Sequence, residues 1–218
     1  MKCGESSFDI AYLLFAVISG CLILRRADSK TERYMGIAAV VLGCGDAFHL
    51  IPRVLNYFMD RDMSVYLGVG KLVTSITMTV FYLLLYRIWI GLYEEKENMN
   101  LSAVICCTAI LRIALCFFPQ NGWFENSSDM TWGILRNIPF VILGALICYL
   151  YFKNRKKEKG FGLLWICILL SFAFYIPVAV GAGLIPMLGM LMLPKTICYI
   201  LMIAVFLKNG HREVQERS

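Results

Sequence analysis

Five ionisable residues, Asp46, His49, Arg112, Arg136 and Lys195, stand inside stretches otherwise apolar enough to cross a bilayer. Charge is costly in hydrocarbon, so residues of these types in such places are functional-site candidates by default. Asp46 and His49 are three apart and share one helical face, which Arg53 continues seven positions after Asp46. A partly buried carboxylate beside an imidazole suits general acid and base work, so Asp46 and His49 are the catalytic candidates. The basic groups suit a different task, because arginine and lysine hold phosphate or carboxylate through charge-assisted hydrogen bonds. Lys71, Ser75, then Met78 or Thr79, and Tyr82 follow one another at helical spacing and make a second polar stripe. Arg53, Lys71, Ser75, Arg112, Arg136, Asn137, Tyr175 and Lys195 form the candidate ligand-binding set, with Asp46 as its one carboxylate. Asp46 with His49 is half of a metal site. The other histidine, His211, falls in the tail, and no further acid is expected at that depth, so neither a metal nor a cofactor is expected.

The elements that must carry these residues are membrane helices. A chain of 218 residues that is 59% hydrophobic has too little polar surface to coat a soluble globule. Seven apolar runs are read at 9–24, 35–52, 66–90, 101–118, 131–152, 161–184 and 187–207, each near the roughly 20 residues a helix needs to cross the bilayer. Residues 9–24 lack the basic leader and small-residue cleavage site of a signal peptide and count as the first helix. The expected fold is all-α: one multi-pass, seven-helix transmembrane domain spanning residues 1–218. Pro52, Pro139, Pro177 and Pro194 lie inside or at the ends of these runs, where they free backbone carbonyls and introduce kinks.

Lysine and arginine fall unequally on the connecting loops. Arg25, Arg26, Lys30 and Arg33 follow the first run, the third ends on Arg87 and Lys96, Lys153 to Lys159 follow the fifth, and Lys208, Arg212 and Arg217 the last. In the second loop Arg53 and Arg61 are accompanied by Asp60 and Asp62, residues 119–130 carry no basic residue, and the sixth loop is a tight turn at 183–186. The basic loops are expected on the cytoplasmic side of a plasma membrane, with the N-terminus outside and the C-terminus inside. The net charge of +6 is largely this asymmetry and its attraction for anionic headgroups, which leaves no case for nucleic acid. Counted down from the outer helix ends, all the candidate residues fall at similar depths in the outer half. They predict an outward-open cationic cavity floored by Lys195. The expected partners are membrane lipids and a small anionic or amphiphilic ligand, with a second copy of the chain as a further candidate. The nine cysteines show no metal-ligand spacing and read as small hydrophobes.

Two family resemblances attach to these residues. The stretch from Glu32-Arg33-Tyr34-Met35-Gly36 through Gly43-Cys44-Gly45-Asp46-Ala47-Phe48 resembles the signature helix of the lysoplasmalogenases, small polytopic membrane hydrolases. Gly68-Val69-Gly70-Lys71-Leu72 and Val80-Phe81-Tyr82 are similar to the helix that follows it in that family. The resemblance implies a lipid hydrolase in which Asp46 directs water at a vinyl-ether lipid, His49 assists it, and Arg136 and Lys195 hold the phosphate headgroup. The second Ser-Asp pair of that family has no counterpart here, since helix 6 reads Leu170-Ser171-Phe172-Ala173-Phe174-Tyr175. The second resemblance is to the microbial rhodopsins, carried by Tyr175-Ile176-Pro177, the turn from Gly181 to Pro186, and Lys195. It implies a retinal Schiff base on Lys195 with Asp46 as counter-ion. A lipid ether or ester hydrolase, a non-enzymatic transporter or receptor, and a retinal protein therefore stand as alternatives.

Overall fold

The computed structural model describes residues 2–58, 63–124, 130–181 and 185–215. Its seven long helices are α1 (Lys2–Arg26), α2 (Lys30–Phe58), α3 (Ser64–Tyr93), α4 (Met99–Cys116), α5 (Met130–Asn154), α6 (Leu164–Gly181) and α7 (Met192–Gln215). All seven are long and apolar enough to cross a membrane. Only 22% to 39% of each apolar window is buried inside the bundle, so most of the apolar surface points outward, where only lipid can cover it.

The expected runs and the helices agree in number and overlap one to one, and differ at the ends. α1 begins seven residues before the expected run, which brings Glu5 into the helix. α7 begins at Met192 rather than 187 because Pro186–Leu191 forms a 3-10 turn as apolar as the helix itself. Most of the expected tight turn, residues 182–184, and the Asp60, Arg61 and Asp62 part of the second loop lie outside the described residues. Asn98 starts α4 by accepting the Asn100 and Leu101 backbone N–H groups at 3.0 and 3.4 Å, and Glu94 closes α3 in the left-handed conformation.

Sequential helices are neighbours, and α1 meets α7 to close the ring, while α3 also touches α5. Small residues set the closest approaches, as expected where the apolar medium gives helices little reason to associate. A Cβ on Gly70 would fall 2.2 Å from the Phe48 carbonyl oxygen, and one on Gly45 would fall 2.0 Å from Thr77 Oγ1, so α2 and α3 are in backbone contact. The centre is aromatic. Tyr82 meets Phe81 and Phe140 edge-on, with ring centroids 5.6 and 5.2 Å away, and its hydroxyl lies 3.2 Å from Ser171 Oγ. At the end that carries the basic loops, Glu95 accepts from Lys157 at 2.6 Å and Asn154 at 3.1 Å, which holds its carboxyl below the usual glutamate range. The candidate residues gather at the other end.

Candidate functional site

Between α2, α3, α4, α5, α6 and α7, at the end away from the basic loops, lies a partly open cavity of about 440 Å³. Its size falls within the roughly 300–1,000 Å³ of small-molecule sites. Of the ten candidate residues, eight line it: His49, Lys71, Ser75, Arg112, Arg136, Asn137, Tyr175 and Lys195. Six separate helices supply them, so the grouping is tertiary and no local repeat produces it.

The cations are steadied by rings and amides in place of carboxylates. The Arg112 guanidinium carbon lies 3.3 Å from the centroid of Phe140, and that of Arg136 lies 4.2 Å from that of Trp123. Lys195 Nζ stands 4.7 Å from the Tyr175 ring centroid and 5.4 Å from that of Tyr199. A ring face attracts a cation without consuming its N–H donors. Arg136 Nη1 spends one donor on Asn121 Oδ1 at 2.7 Å. Arg112 is 2% exposed, yet its Nε and Nη1 have no hydrogen-bond partner. A buried guanidinium normally has every donor satisfied; here the hydrogen bond with Tyr175 leaves these two nitrogens buried and unpaired. Arg112 also lies near enough to Arg136 and Lys195 to be repelled by both, and Lys71 is similarly close to Arg136. Among the described residues no carboxylate lines the cavity. His49 faces it with Nδ1 buried and unpartnered.

Asp46 and Arg53 stand apart from the lining. Asp46 Oδ2 accepts the Tyr12 hydroxyl at 2.7 Å, on the α1 side of α2. Arg53 is ion-paired with Glu5 and donates from Nε to the Tyr57 hydroxyl at 3.2 Å. The expectation that Asp46 is the one carboxylate at this depth is corrected: α1 adds Glu5 and the buried Asp9. Glu5, Asp9 and Tyr12 recur at helical spacing toward α2, so Asp46 and Arg53 are both engaged from the α1 side, while Lys195 of the cavity lies near enough to Asp46 to attract it. Among the described residues no ion pair under 4 Å joins Asp46 to Lys195 or Arg136, and no group of three His, Cys, Asp or Glu side chains is placed to hold a metal ion.

Several lining residues have no sequence signal of their own. Asn121, Gly122 and Trp123 follow α4 and fold across the cavity. Asn121 donates to the Leu115 and Phe118 carbonyls at 2.8 and 2.9 Å, and the Trp123 indole donates to the Cys116 carbonyl at 2.8 Å. These bonds cap the end of α4 and turn Asn121 Oδ1 toward Arg136. Gly122 takes φ 60°, and a Cβ on Gly68 would meet the Trp123 carbonyl oxygen at 1.6 Å, so glycine is required where this loop crosses α3. A tryptophan in a loop without basic residues was the available clue. Of the two alternatives on the α3 stripe, Met78 lines the cavity, while Thr79 turns inward and donates to the Ser75 carbonyl at 2.9 Å. Compared with models of known protein families, with curated proteins and with solved structures, the chain has no match.

Proposed function

We propose that this multi-pass membrane protein binds a small anion, or the anionic headgroup of an amphiphile, in the cavity formed by α2 to α7. The observation that carries the reading is the charge of the lining: Arg112, a guanidinium 2% exposed, shares the wall of the cavity with three further cations, and among the described residues no carboxylate joins them. A ligand oxyanion is the group that satisfies all of these at once, since each charged hydrogen bond in a water-poor site is worth about twice a neutral one. The loop charges support an N-terminus outside and a C-terminus inside in a plasma membrane, with the cavity open outward. Binding alone is the role of a receptor or of one state of a transporter, and the inventory of the lining asks for nothing more.

Thermal stabilisation of the purified full chain by inorganic phosphate, glycerol 3-phosphate or a carboxylate tests this. A shift that is reduced at least tenfold in apparent affinity in both Arg112→Gln and Arg136→Gln supports the reading. No shift with any of these anions, or shifts indifferent to both substitutions, would overturn it.

The lipid-hydrolase reading is supported by His49, which reaches the cavity wall one turn from Asp46. It requires the Asp46 carboxylate to act from behind the wall while accepting the Tyr12 hydroxyl. Release of an aldehyde or fatty acid from a lysolipid, lost in Asp46→Asn, would identify that activity. A retinal Schiff base on Lys195 would likewise have its counter-ion outside the lining, and no absorbance in the visible after incubation with retinal would dismiss it.

A further inference from the structure

Beside the cationic cavity, on the outward side of the seam between α5 and α6, is a second hollow of about 240 Å³. Its walls are Ile134, Ile138, Val141 and Ile142 of α5 with Ile176 and Val180 of α6. Ile138, Ile142, Ile176 and Val180 are between 40% and 50% exposed, on the surface that an apolar medium must cover. Three residues, Asn137, Tyr175 and Ala179, line both this hollow and the cavity. They form the partition between a cationic space and an apolar one. The Tyr175 hydroxyl donates across it to Asn137 Oδ1 at 2.7 Å.

We propose that the cavity's ligand is a phosphate-bearing membrane amphiphile, whose single hydrocarbon chain leaves between α5 and α6 and lies in this groove. This rests on the reading of the cavity as an anion site. The charges divide as such a molecule divides: four basic side chains line one compartment, while the other has aliphatic walls and opens where lipid chains lie. The run from Ile134 to Ile142 gives the groove a length of about 12 Å at the helical rise. Its volume is below the roughly 300 Å³ of a drug-sized pocket, which suits one chain rather than two. The seam is also built to part. Pro139 in α5 and Pro177 in α6 each remove a helical hydrogen bond beside the partition, which is crossed by the Tyr175–Asn137 hydrogen bond and the edge-on contact of Tyr175 with Phe140. An amphiphile entering sideways would keep its chain in hydrocarbon while its phosphate moved onto Arg112, Arg136 and Lys195.

The test uses the full chain in nanodiscs of zwitterionic lipid with two probes, oleoyl lysophosphatidic acid and glycerol 3-phosphate. Val141→Trp and Val180→Trp fill the groove and leave the cavity lining untouched. Each is expected to weaken lysophosphatidic acid binding at least tenfold and to leave glycerol 3-phosphate binding unchanged. A lysophosphatidic acid carrying a photoreactive group midway along its chain should label the wild-type chain within 134–142 or 176–180, a measurement that needs no variant. Unchanged lysophosphatidic acid binding in folded tryptophan variants, or labelling confined to other helices, overturns the groove while glycerol 3-phosphate binding that depends on Arg112 still stands. If neither probe binds, the cavity reading falls as well, and the two failures are distinguished.

Discussion

Arg112 shows how function and stability oppose each other at a single residue. A buried guanidinium with idle donors carries a desolvation cost that the Phe140 ring offsets only in part. Arg112→Met keeps the volume and removes the charge. It is expected to raise the melting temperature of the ligand-free protein, by about 1–2 kcal/mol of stability, while abolishing the shift induced by phosphate. A variant less stable than wild type without ligand would mean that the charge is satisfied within the protein. Asp46 makes the opposite case. Its Tyr12 partner is buried, so Tyr12→Phe leaves a carboxylate short of a donor and should cost about 1–3 kcal/mol, with glycerol 3-phosphate binding unaltered. Loss of anion binding in Tyr12→Phe would tie Asp46 to the cavity. The sequence reading placed Lys195, Arg136 and Arg112 at a common depth because helical rise converts residue number into height, and all three line the cavity. It did not separate Asp46 and Arg53 from them. Height along a helix follows from counting, but azimuth depends on which neighbour each face meets, and the α1 residues that claim these two, Tyr12 and Glu5, were not in view.

At the scale of elements, glycine sets how closely helices approach. Gly45, Gly68 and Gly70, which carry much of the resemblance to lysoplasmalogenases, each meet another chain segment at a distance that excludes a Cβ. Their presence is therefore accounted for by packing, whatever the chemistry. Gly70→Ala drives a methyl group into the Phe48 backbone, which has no rotamer with which to yield. It should destabilise by about 1–3 kcal/mol or prevent accumulation, whereas Gly133→Ala, with nothing within 4 Å, should be neutral or slightly stabilising. Melting curves in detergent for the two variants check this, and equal behaviour would show that α2 and α3 can separate freely. Helix number and type were legible because runs of about 20 apolar residues have one solution in lipid. Helix ends were not, since hydropathy does not distinguish the 3-10 turn at Pro186–Leu191 from the helix it leads into.

For the whole molecule, the separation of basic loops from the cavity converts topology into access. Arg25, Arg26, Lys153 and Lys157 lie at one end of the bundle, and the cavity lies at the other. If the positive-inside bias sets the orientation, the cavity opens to the exterior and its field draws anions from there. Ser75 lines the cavity and donates only to its own helix, to the Lys71 carbonyl at 2.8 Å, so cysteine fits in its place. In intact cells, Ser75→Cys is expected to react with a membrane-impermeant anionic thiol reagent several-fold faster than with a cationic one of equal size. The preference should shrink as salt screens the cavity field. Eight of the nine native cysteines are free and sit in membrane helices, and Cys3 stands at the N-terminal end of α1, so Ser75→Cys is made on a Cys3→Ser chain and that chain serves as the background. Labelling seen only in inverted vesicles would reverse the orientation. A preference for the cationic reagent would instead remove the electrostatic basis of the site, because a cavity lined by Lys71, Arg112, Arg136 and Lys195, with no lining carboxylate among the described residues, cannot favour a cation unless those charges are neutralised.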